Sequence, residues 1–303
     1  MSRIHDALKK AAEEKTSRGG KGLAPDFLDL DGGLYRPSEL RDKPQAAMSS
    51  GLGQLDTQHF LGFEALLKRC SHPSWKPDPR MNIFNDRENK KNGAECFGTL
   101  RSRLHQIAGT RTLKRILVTS SFPGEGKTFV AANLALSIIR QPDRRVLLID
   151  ADLRASRLHL PLGAPSKPGL TDYLRGEVDE YSVIQVGTDE KLCLIPGGSQ
   201  IANPGELILS ERMKYLLDFV TPLFDFVILD SPPAIPVHDP NLLADFCDGT
   251  LLVVRAGVSD SEVVARAAAE FEGKNLLGVV LNGVGPEATY GKCYAGSYGD
   301  AEG

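Results

Sequence analysis

The hydrophobic pattern of this chain of 303 residues changes at about residue 93. Beyond it, near-continuous apolar runs rich in Val, Ile and Leu alternate with segments of helical periodicity. Such runs are typical of strands buried on both faces, as in parallel sheets. The runs occupy residues 115–119, 145–150, 226–230, 250–254 and 276–282, and the predicted helices occupy 128–140, 206–220 and 261–272. This alternation predicts an α/β domain with a doubly wound, mostly parallel sheet flanked by helices.

The first 92 residues have a different composition. Residues 16–92 are rich in Gly, Pro, Ser, Lys and Asp, which predicts a low-order linker and a largely disordered N-terminal extension. Residues 1–15 are predicted to form a short helix, either a frayed terminus or a docking helix for a partner. The predicted domains are therefore this helix, the linker, a nucleotide-binding domain over 93–287 and a flexible tail over 288–303.

Composition narrows the class of protein. The chain is 41% hydrophobic and 25% charged, which is typical of a soluble globular protein. A net charge of −3 gives no electrostatic reason to expect nucleic-acid binding. The five cysteines lack C-x-x-C spacing, so reduced thiols are expected. No apolar run approaches the roughly 18 residues of a membrane span, and no secretory signal is evident, so we expect a cytoplasmic protein.

The stretch "SSFPGEGKTF" at 120–129 follows a predicted strand and opens a predicted helix. It matches the G-x-x-x-x-G-K-[ST] pattern of phosphate-binding loops except for Ser121 at the first glycine. In such loops the lysine, here Lys127, reaches the β- and γ-phosphates, and the hydroxyl of Thr128 binds Mg²⁺. We name residues 120–128 the phosphate loop, and they predict a P-loop NTPase. The expected nucleotide contacts at this junction are Gly124, Glu125, Gly126, Lys127, Thr128 and Phe129.

Acidic residues end two of the predicted strands. Asp150 and Asp152 follow "VLLI", and Asp230 follows "FVIL". The carboxyl ends of parallel strands line the ligand crevice, and Mg²⁺ binds through few carboxylates. We therefore expect Asp150 and Asp230 to hold Mg²⁺ together with Thr128, although an Asp in this position is also a common helix cap. Arg154 is expected either to bind phosphate or to pair with one of these acids.

Three motifs together resemble those of the bacterial tyrosine (BY) kinases. They are the loop "SSFPGEGKT", the acidic motif "LLIDADLR" and the run "FDFVILDSPP", and the resemblance covers about residues 95–290. BY kinases are cytoplasmic autokinases of capsular and exopolysaccharide systems. The related cell-division and plasmid-partition ATPases of the MinD/ParA type have K-G-G-x-G-K-T instead. Phe122 and Pro123 replace the lysine and the first glycine of that pattern, which favours the kinases.

The resemblance implies an ATP-dependent protein-tyrosine autokinase with ATP and Mg²⁺ as cofactors. It implies that Lys127 neutralises phosphate charge and that Asp152 orients or deprotonates the incoming tyrosine hydroxyl. Asp150 and Asp230 complete the expected catalytic set. It also places Arg255 and Asn282 on the side of the adenine base.

The resemblance further implies substrate tyrosines near the C-terminus. Tyr290, Tyr294 and Tyr298 are three of the seven tyrosines, and all lie in the last 14 residues. We expect them to be phosphorylated by neighbouring subunits. The alternative is that these aromatic residues serve only in packing or association.

The family also carries an E-x-x-R-x-x-R motif that assembles subunits into a ring. Glu95 and Arg101 match it, so a homo-oligomer is expected, but Gly98 replaces the middle arginine. Glycine at this position removes a charge and weakens a helix by roughly 1 kcal/mol. Either the ring is lost or Arg103 compensates.

Members of the family that lack a membrane span borrow one from a separate protein. The resemblance therefore implies a membrane-anchored polysaccharide co-polymerase as activator, which recruits this chain to the inner face of the cell membrane. Two other functions share the same nucleotide residues. One is an ATPase switch of the MinD/ParA type that gates a membrane partner, and the other is a scaffold that binds ATP without turnover.

Overall fold

The structure is a computed structural model that describes residues 62–84 and 91–284. The predicted helix of residues 1–15, most of the predicted linker and the predicted tail of residues 288–303 lie outside the described residues.

The described residues form one seven-stranded sheet with the order β3-β4-β2-β5-β1-β6-β7. All neighbouring strands are parallel except β3, which is antiparallel to β4. The strands are β1 Arg115–Ser120, β2 Val146–Asp150, β3 Gln185–Val186, β4 Leu192–Ile195, β5 Phe226–Asp230, β6 Gly249–Arg255 and β7 Leu276–Asn282. The predicted doubly wound α/β fold is confirmed, and the five predicted strands are all present.

Ten α-helices surround the sheet in the described part of the chain. They are α1 Phe63–Leu67, α2 Lys91–Ala108, α3 Lys127–Ile139, α4 His159–Leu162, α5 Leu170–Leu174, α6 Glu180–Val183, α7 Gly205–Ile208, α8 Glu211–Val220, α9 Asp239–Ala244 and α10 Ser261–Ala269. The prediction of a single helix over 206–220 is wrong. Two helices replace it, because the helix is interrupted at residues 209–210. The Ser210 side chain accepts a hydrogen bond from the Met213 amide and so caps α8.

Each central strand is buried on both faces, and this divides the core into two layers. Every residue of β2 is buried, with Leu147 and Ile149 in one layer and Val146 and Leu148 in the other. The strands must therefore be apolar at consecutive positions, which explains the continuous runs in the sequence.

Strand register brings the acidic positions together at one edge of the sheet. Asp150 at the end of β2 lies opposite Asp230 at the end of β5, and Asp230 also pairs with Val118 of β1. The phosphate loop begins at the end of β1. The sheet thus places the loop and both acidic strand ends side by side.

The prediction of a low-order linker is wrong for residues 62–84. The α1 helix buries Phe63 and Leu66 in the core, and Ser71 forms a parallel bridge with Gln185 of β3. Farther along, Trp75 is buried in the other core layer. Phe63, Leu66 and Cys70 share a helical spacing, but it spans only about two turns, and the apolar residues beyond it follow no period. The segment therefore gives a weak pattern in the sequence.

The same segment is fastened to the helix that follows the phosphate loop. Asn133 of α3 is fully buried and accepts a hydrogen bond from the Ile83 amide at 3.0 Å. Its side-chain nitrogen donates to the carbonyls of Met81 and Phe129, each at 2.9 Å. Residues 81–83 therefore belong to the folded unit and support α3.

Among the described helices, none combines the length and the apolarity that a bilayer crossing requires.

Candidate nucleotide-binding site

The phosphate loop has the backbone geometry of an anion site. Gly124 and Gly126 have φ angles of +85° and +95°, in the left-handed region that favours glycine. The first hydrogen bond of α3 runs from the Val130 amide to the Gly126 carbonyl at 2.9 Å. The amides of the first turn of α3, before Val130, have no acceptor within the helix. Free amides at a helix N-terminus suit an anion.

Lys127 lies between two carboxylates at the start of α3. Its Nζ is 2.9 Å from Asp152 Oδ2 and 3.9 Å from Asp230 Oδ1, and its side chain is 14% exposed. Burial lowers the pKa of Lys127, but the charges of Asp230 and Asp152 outweigh burial, so the net effect is a raised pKa. Lys127 therefore remains a cation at neutral pH.

Thr128 and Asp230 supply adjacent oxygen atoms next to Lys127. Thr128 Oγ1 donates to Asp230 Oδ2 at 2.6 Å, while Asp230 Oδ1 is buried and has no hydrogen-bond partner. Burial raises the pKa of Asp230 to about 7, although Lys127 acts in the opposite direction. A buried carboxylate oxygen that accepts no hydrogen bond fits a site for a cation or for water bound to one.

The donor atoms fit Mg²⁺ in its usual nucleotide complex. In the described part of the chain, no three His, Cys, Asp or Glu side chains converge into a metal cluster. Mg²⁺ does not need one, since it binds through one or two carboxylates, waters and phosphate oxygens. Thr128 and Asp230 are therefore sufficient protein ligands for a nucleotide-bound ion.

Asp150 organises the loop after β2. Its Oδ2 accepts hydrogen bonds from Ser156 Oγ at 2.7 Å and from the Leu158 amide at 2.9 Å. Its Oδ1 accepts one from the Asp152 amide at 3.2 Å. Burial raises the pKa of Asp150, and these bonds offset part of that rise. Its predicted contact with Mg²⁺ stays a prediction, because both oxygens already serve the loop.

Asp152 is the second carboxylate that contacts Lys127. Its Oδ1 accepts a hydrogen bond from the Ala155 amide at 3.0 Å, and its Oδ2 contacts Lys127. One oxygen thus fixes the carboxylate and the other lies at the centre of the site. This arrangement suits a group that handles a proton near a phosphate.

Arg154 pairs with an acid that the sequence analysis did not consider. Its Nε and Nη2 donate to the two oxygens of Asp239 at 2.6 and 3.0 Å, and its Nη1 donates to the Ala202 carbonyl at 2.6 Å. Of the two alternatives predicted for Arg154, pairing with an acid of the site is therefore wrong, and phosphate binding stays a prediction. Asp239 begins α9 and precedes a proline, a helix-start signal that marks its place but not its partner.

Arg255 and Asn282 lie against the back of the phosphate loop. Arg255 Nη1 donates to the Gly124 carbonyl at 3.1 Å, and Asn282 Nδ2 donates to the Glu125 carbonyl at 2.9 Å. The structure brings both residues to the loop, because β6 ends at Arg255 and β7 ends at Asn282. Their contact with an adenine base stays a prediction.

The side chains of two predicted nucleotide contacts, Glu125 and Phe129, bind other parts of the protein. The Glu125 side chain, 4% exposed, accepts hydrogen bonds from the Phe122 amide and the Ser259 hydroxyl. The Phe129 ring packs edge-on against Phe97 of α2 at 6.2 Å between ring centroids. Only backbone groups of Glu125 and Phe129 therefore remain available to a nucleotide. Sequence analysis did not identify Ser259, which belongs to no motif.

The predicted oligomer residues lie on α2. Arg101 Nη1 donates to the Ser137 carbonyl of α3 at 2.7 Å, so this arginine has a role within its own chain. Glu95 is exposed. Their contact with another subunit stays a prediction. The three tail tyrosines, Tyr290, Tyr294 and Tyr298, lie outside the described residues.

Replacing Gly98 by alanine is expected to stabilise the protein. A Cβ at this helical position would meet no atom within 4 Å, so the change gains helix propensity without a clash. We expect the free energy of unfolding to rise by about 1 kcal/mol in urea denaturation. Gly126→Ala is the matched contrast, because its Cβ would lie 2.1 Å from Asn282 Nδ2 at a φ of +95°. Equal effects of the two substitutions would contradict this account.

Sequence comparison agrees with the geometry. Residues 116–296 match the family described as the CobQ/CobB/MinD/ParA nucleotide binding domain. Tyrosine-protein kinase YwqD of Bacillus subtilis (strain 168) is 33% identical over 204 residues, which cover 67% of this chain and 86% of YwqD. Tyrosine-protein kinase etk of Escherichia coli (strain K12) is 34% identical over 192 residues. That match covers 63% of this chain but only 26% of etk, so the chain spans about a quarter of this longer relative.

Solved structures give the same result. The kinase domain of Escherichia coli tyrosine kinase ETK aligns with a TM-score of 0.63 at 30% identity, covering 78% of this chain and 95% of that domain. The chimerical protein CapA2B2 aligns with a TM-score of 0.63 at 27% identity, covering 72% of this chain and 97% of the chimera. The resemblance inferred from the motifs is confirmed, and the chain belongs to the bacterial tyrosine-protein kinases, a group with the CobQ/CobB/MinD/ParA nucleotide-binding domain.

Proposed function

We propose that this chain is an ATP-dependent protein-tyrosine autokinase. The observation that carries the proposal is the position of Lys127 between Asp152 and Asp230, at the N-terminus of the helix that follows the phosphate loop. This arrangement offers a cation for phosphate, an oxygen ligand for a metal and a carboxylate for a proton. The 33% identity to tyrosine-protein kinase YwqD over most of its length supports the same function.

ATP binds with its phosphates at the loop amides and the Lys127 ammonium. Thr128 and Asp230 would hold the accompanying Mg²⁺, and Asp150 shapes the loop beside them. When bound, Mg²⁺ neutralises the charge of the β- and γ-phosphates. Positioning and charge stabilisation supply most of the catalysis in phosphoryl transfer.

Asp152 handles the acceptor. The tyrosine hydroxyl oxygen attacks the γ-phosphorus, the bond from that phosphorus to the β,γ-bridging oxygen breaks, and ADP leaves. The phenolic proton passes to the Asp152 carboxylate. Lys127, 2.9 Å from Asp152, remains close enough to stabilise charge on the transferring group.

The acceptors proposed are Tyr290, Tyr294 and Tyr298 of a neighbouring copy. We place the activity in the control of capsule or exopolysaccharide synthesis, with a membrane-anchored activator that brings the chain to the inner face of the cell membrane. A 33% identical relative from Klebsiella pneumoniae is described as a putative tyrosine-protein kinase in cps region, which supports the setting.

Intact-mass spectrometry of the full chain after incubation with MgATP tests the proposal. It is run with and without the cytoplasmic tail of a membrane protein encoded beside this chain. We expect phosphate on the wild type and none on a triple variant in which Tyr290, Tyr294 and Tyr298 are Phe. ATP hydrolysis without protein phosphorylation, even with the partner tail, would overturn the kinase proposal in favour of an ATPase switch.

A further inference from the structure

Four side chains tie the phosphate loop to the ends of β6 and β7. We call this set the loop clamp, and it consists of Glu125, Arg255, Ser259 and Asn282. Arg255 and Asn282 bind carbonyls of the loop backbone, while Ser259 binds the side chain of Glu125. Arg255 and Asn282 face each other in the β6–β7 pairing, so the clamp closes on one side of the loop.

The clamp fixes the direction of two backbone amides. In a trans peptide the carbonyl of one residue and the N–H of the next point in opposite directions. Because Arg255 holds the Gly124 carbonyl, the Glu125 N–H is turned away from the clamp. Asn282 does the same for the Gly126 N–H by holding the Glu125 carbonyl. Amides of such loops are the donors that cradle phosphate.

The Ser259 hydroxyl donates one hydrogen bond and accepts another within the loop clamp. It donates to Glu125 Oε1 and accepts from the Arg255 amide at 3.0 Å. The Ser259 amide also donates to the Arg255 carbonyl at 3.1 Å, so the residue is fixed by its own backbone. A hydroxyl offers one donor and two acceptor positions, and this arrangement uses the single donor on Glu125.

The Glu125 carboxylate needs this restraint because it is buried inside the phosphate loop. It is 4% exposed and lies one residue from Gly126 in a loop that binds polyanions. Its Oε2 is held by the Phe122 amide at 2.8 Å, which leaves Ser259 as the hydroxyl partner of Oε1. Freed from Ser259, the carboxylate gains freedom to approach a bound phosphate and repel it.

We propose that Ser259 is a positioning residue for nucleotide binding, which holds the Glu125 carboxylate away from the phosphates that the loop amides bind. This inference rests on the proposed function only in that it requires the site to bind nucleotide. It assigns Ser259 no contact with the nucleotide itself. The alternative is that Ser259 only stabilises the turn between β6 and α10.

The test measures ADP and AMP affinity of the full chain by calorimetry in the presence of Mg²⁺. Ser259→Ala is expected to raise the Kd for ADP by about tenfold and the Kd for AMP by less, because the loop amides cradle the α- and β-phosphates and AMP lacks the β-phosphate. Ser259→Thr keeps the hydroxyl and is expected to retain wild-type affinity. In the double variant S259A/E125Q the repelling charge is gone, so part of the ADP affinity is expected to return.

Ser182→Ala is the matched control, since Ser182 Oγ also donates to a carboxylate, that of Asp179, at 2.6 Å, in α6. It is expected to leave ADP affinity unchanged. Equal ADP affinity of wild type and Ser259→Ala would overturn the positioning role while leaving the kinase proposal intact. An equal loss for ADP and AMP, together with a lowered melting temperature, would favour the turn-stabilising alternative. A wild type that binds neither nucleotide would instead refute the proposed function.

Discussion

Lys127→Ala is expected to reduce the autophosphorylation rate by at least about 10²–10³-fold at saturating MgATP, the usual cost of losing one preorganised charge donor at a transition state. Lys127 is the cation that the structure places within 4 Å of both Asp152 and Asp230. Without it, the charge that develops on the transferring phosphate would lose its lysine counter-charge and face the carboxylates of Asp152 and Asp230 with only the loop amides and Mg²⁺ to offset them. The measurement is the initial rate of phosphate incorporation into the full chain, followed by intact mass.

Lys114→Ala is the matched control for this substitution. Lys114 precedes β1 at the end opposite the phosphate loop, and its Nζ donates to the carbonyls of Thr221 and Phe224 at 3.2 and 3.3 Å. It is therefore also a partly buried lysine, but it lies away from the site. We expect its rate to remain within about threefold of the wild type, since the change acts on stability rather than on transition-state charge. A Lys127→Ala variant that kept a tenth of the activity would contradict the assigned role.

The centre of the site was predictable because two physical constraints coincide in the sequence. The strands must be apolar at consecutive positions to be buried on both faces, so their ends are easy to locate. Parallel strands then bring their carboxyl ends to one edge, which places Asp150 and Asp230 in register. The glycine pattern of the phosphate loop completes the prediction, because φ angles near +90° at Gly124 and Gly126 favour glycine.

The parts that were not predictable depend on contacts between segments far apart in the chain. Residues 62–84 cross from one core layer to the other, so the helical spacing of Phe63, Leu66 and Cys70 is not continued by Trp75 and the residues after it. Arg154 pairs with Asp239, 85 residues later, and Ser259 binds Glu125 across 134 residues. Neither Asp239 nor Ser259 is part of a motif, and charge alone allowed several pairings for Arg154. Only the tertiary fold selects among them.

Asp230→Asn is expected to stabilise the nucleotide-free protein, and to do so more at about pH 8 than at about pH 5.5. Burial raises the pKa of Asp230 from an ordinary 3.8 to about 7. Between those values the folded chain holds a proton that the unfolded chain has released, so the contribution of Asp230 to stability falls as pH rises through this window. Above about pH 7 the full cost of burying the charge is present, and the neutral asparagine removes it.

Urea denaturation of both proteins at the two pH values measures the effect. One pKa unit corresponds to about 1.4 kcal/mol, so the gain in unfolding free energy from Asp230→Asn should be about 1–2 kcal/mol larger at the higher pH.

The variant keeps the side chains that face Asp230, which are Lys127, Asp150, Asp152 and Thr128. Asp218→Asn is the control, because this exposed partner of Arg115 should change stability by less than about 1 kcal/mol at either pH. The same Asp230→Asn variant should lose autophosphorylation, since Asp230 Oδ1, which accepts no hydrogen bond in the folded protein, is the oxygen that would bind Mg²⁺. A variant that gained no stability at high pH would show that Lys127 already neutralises Asp230 in the free protein, and the raised pKa would then be wrong.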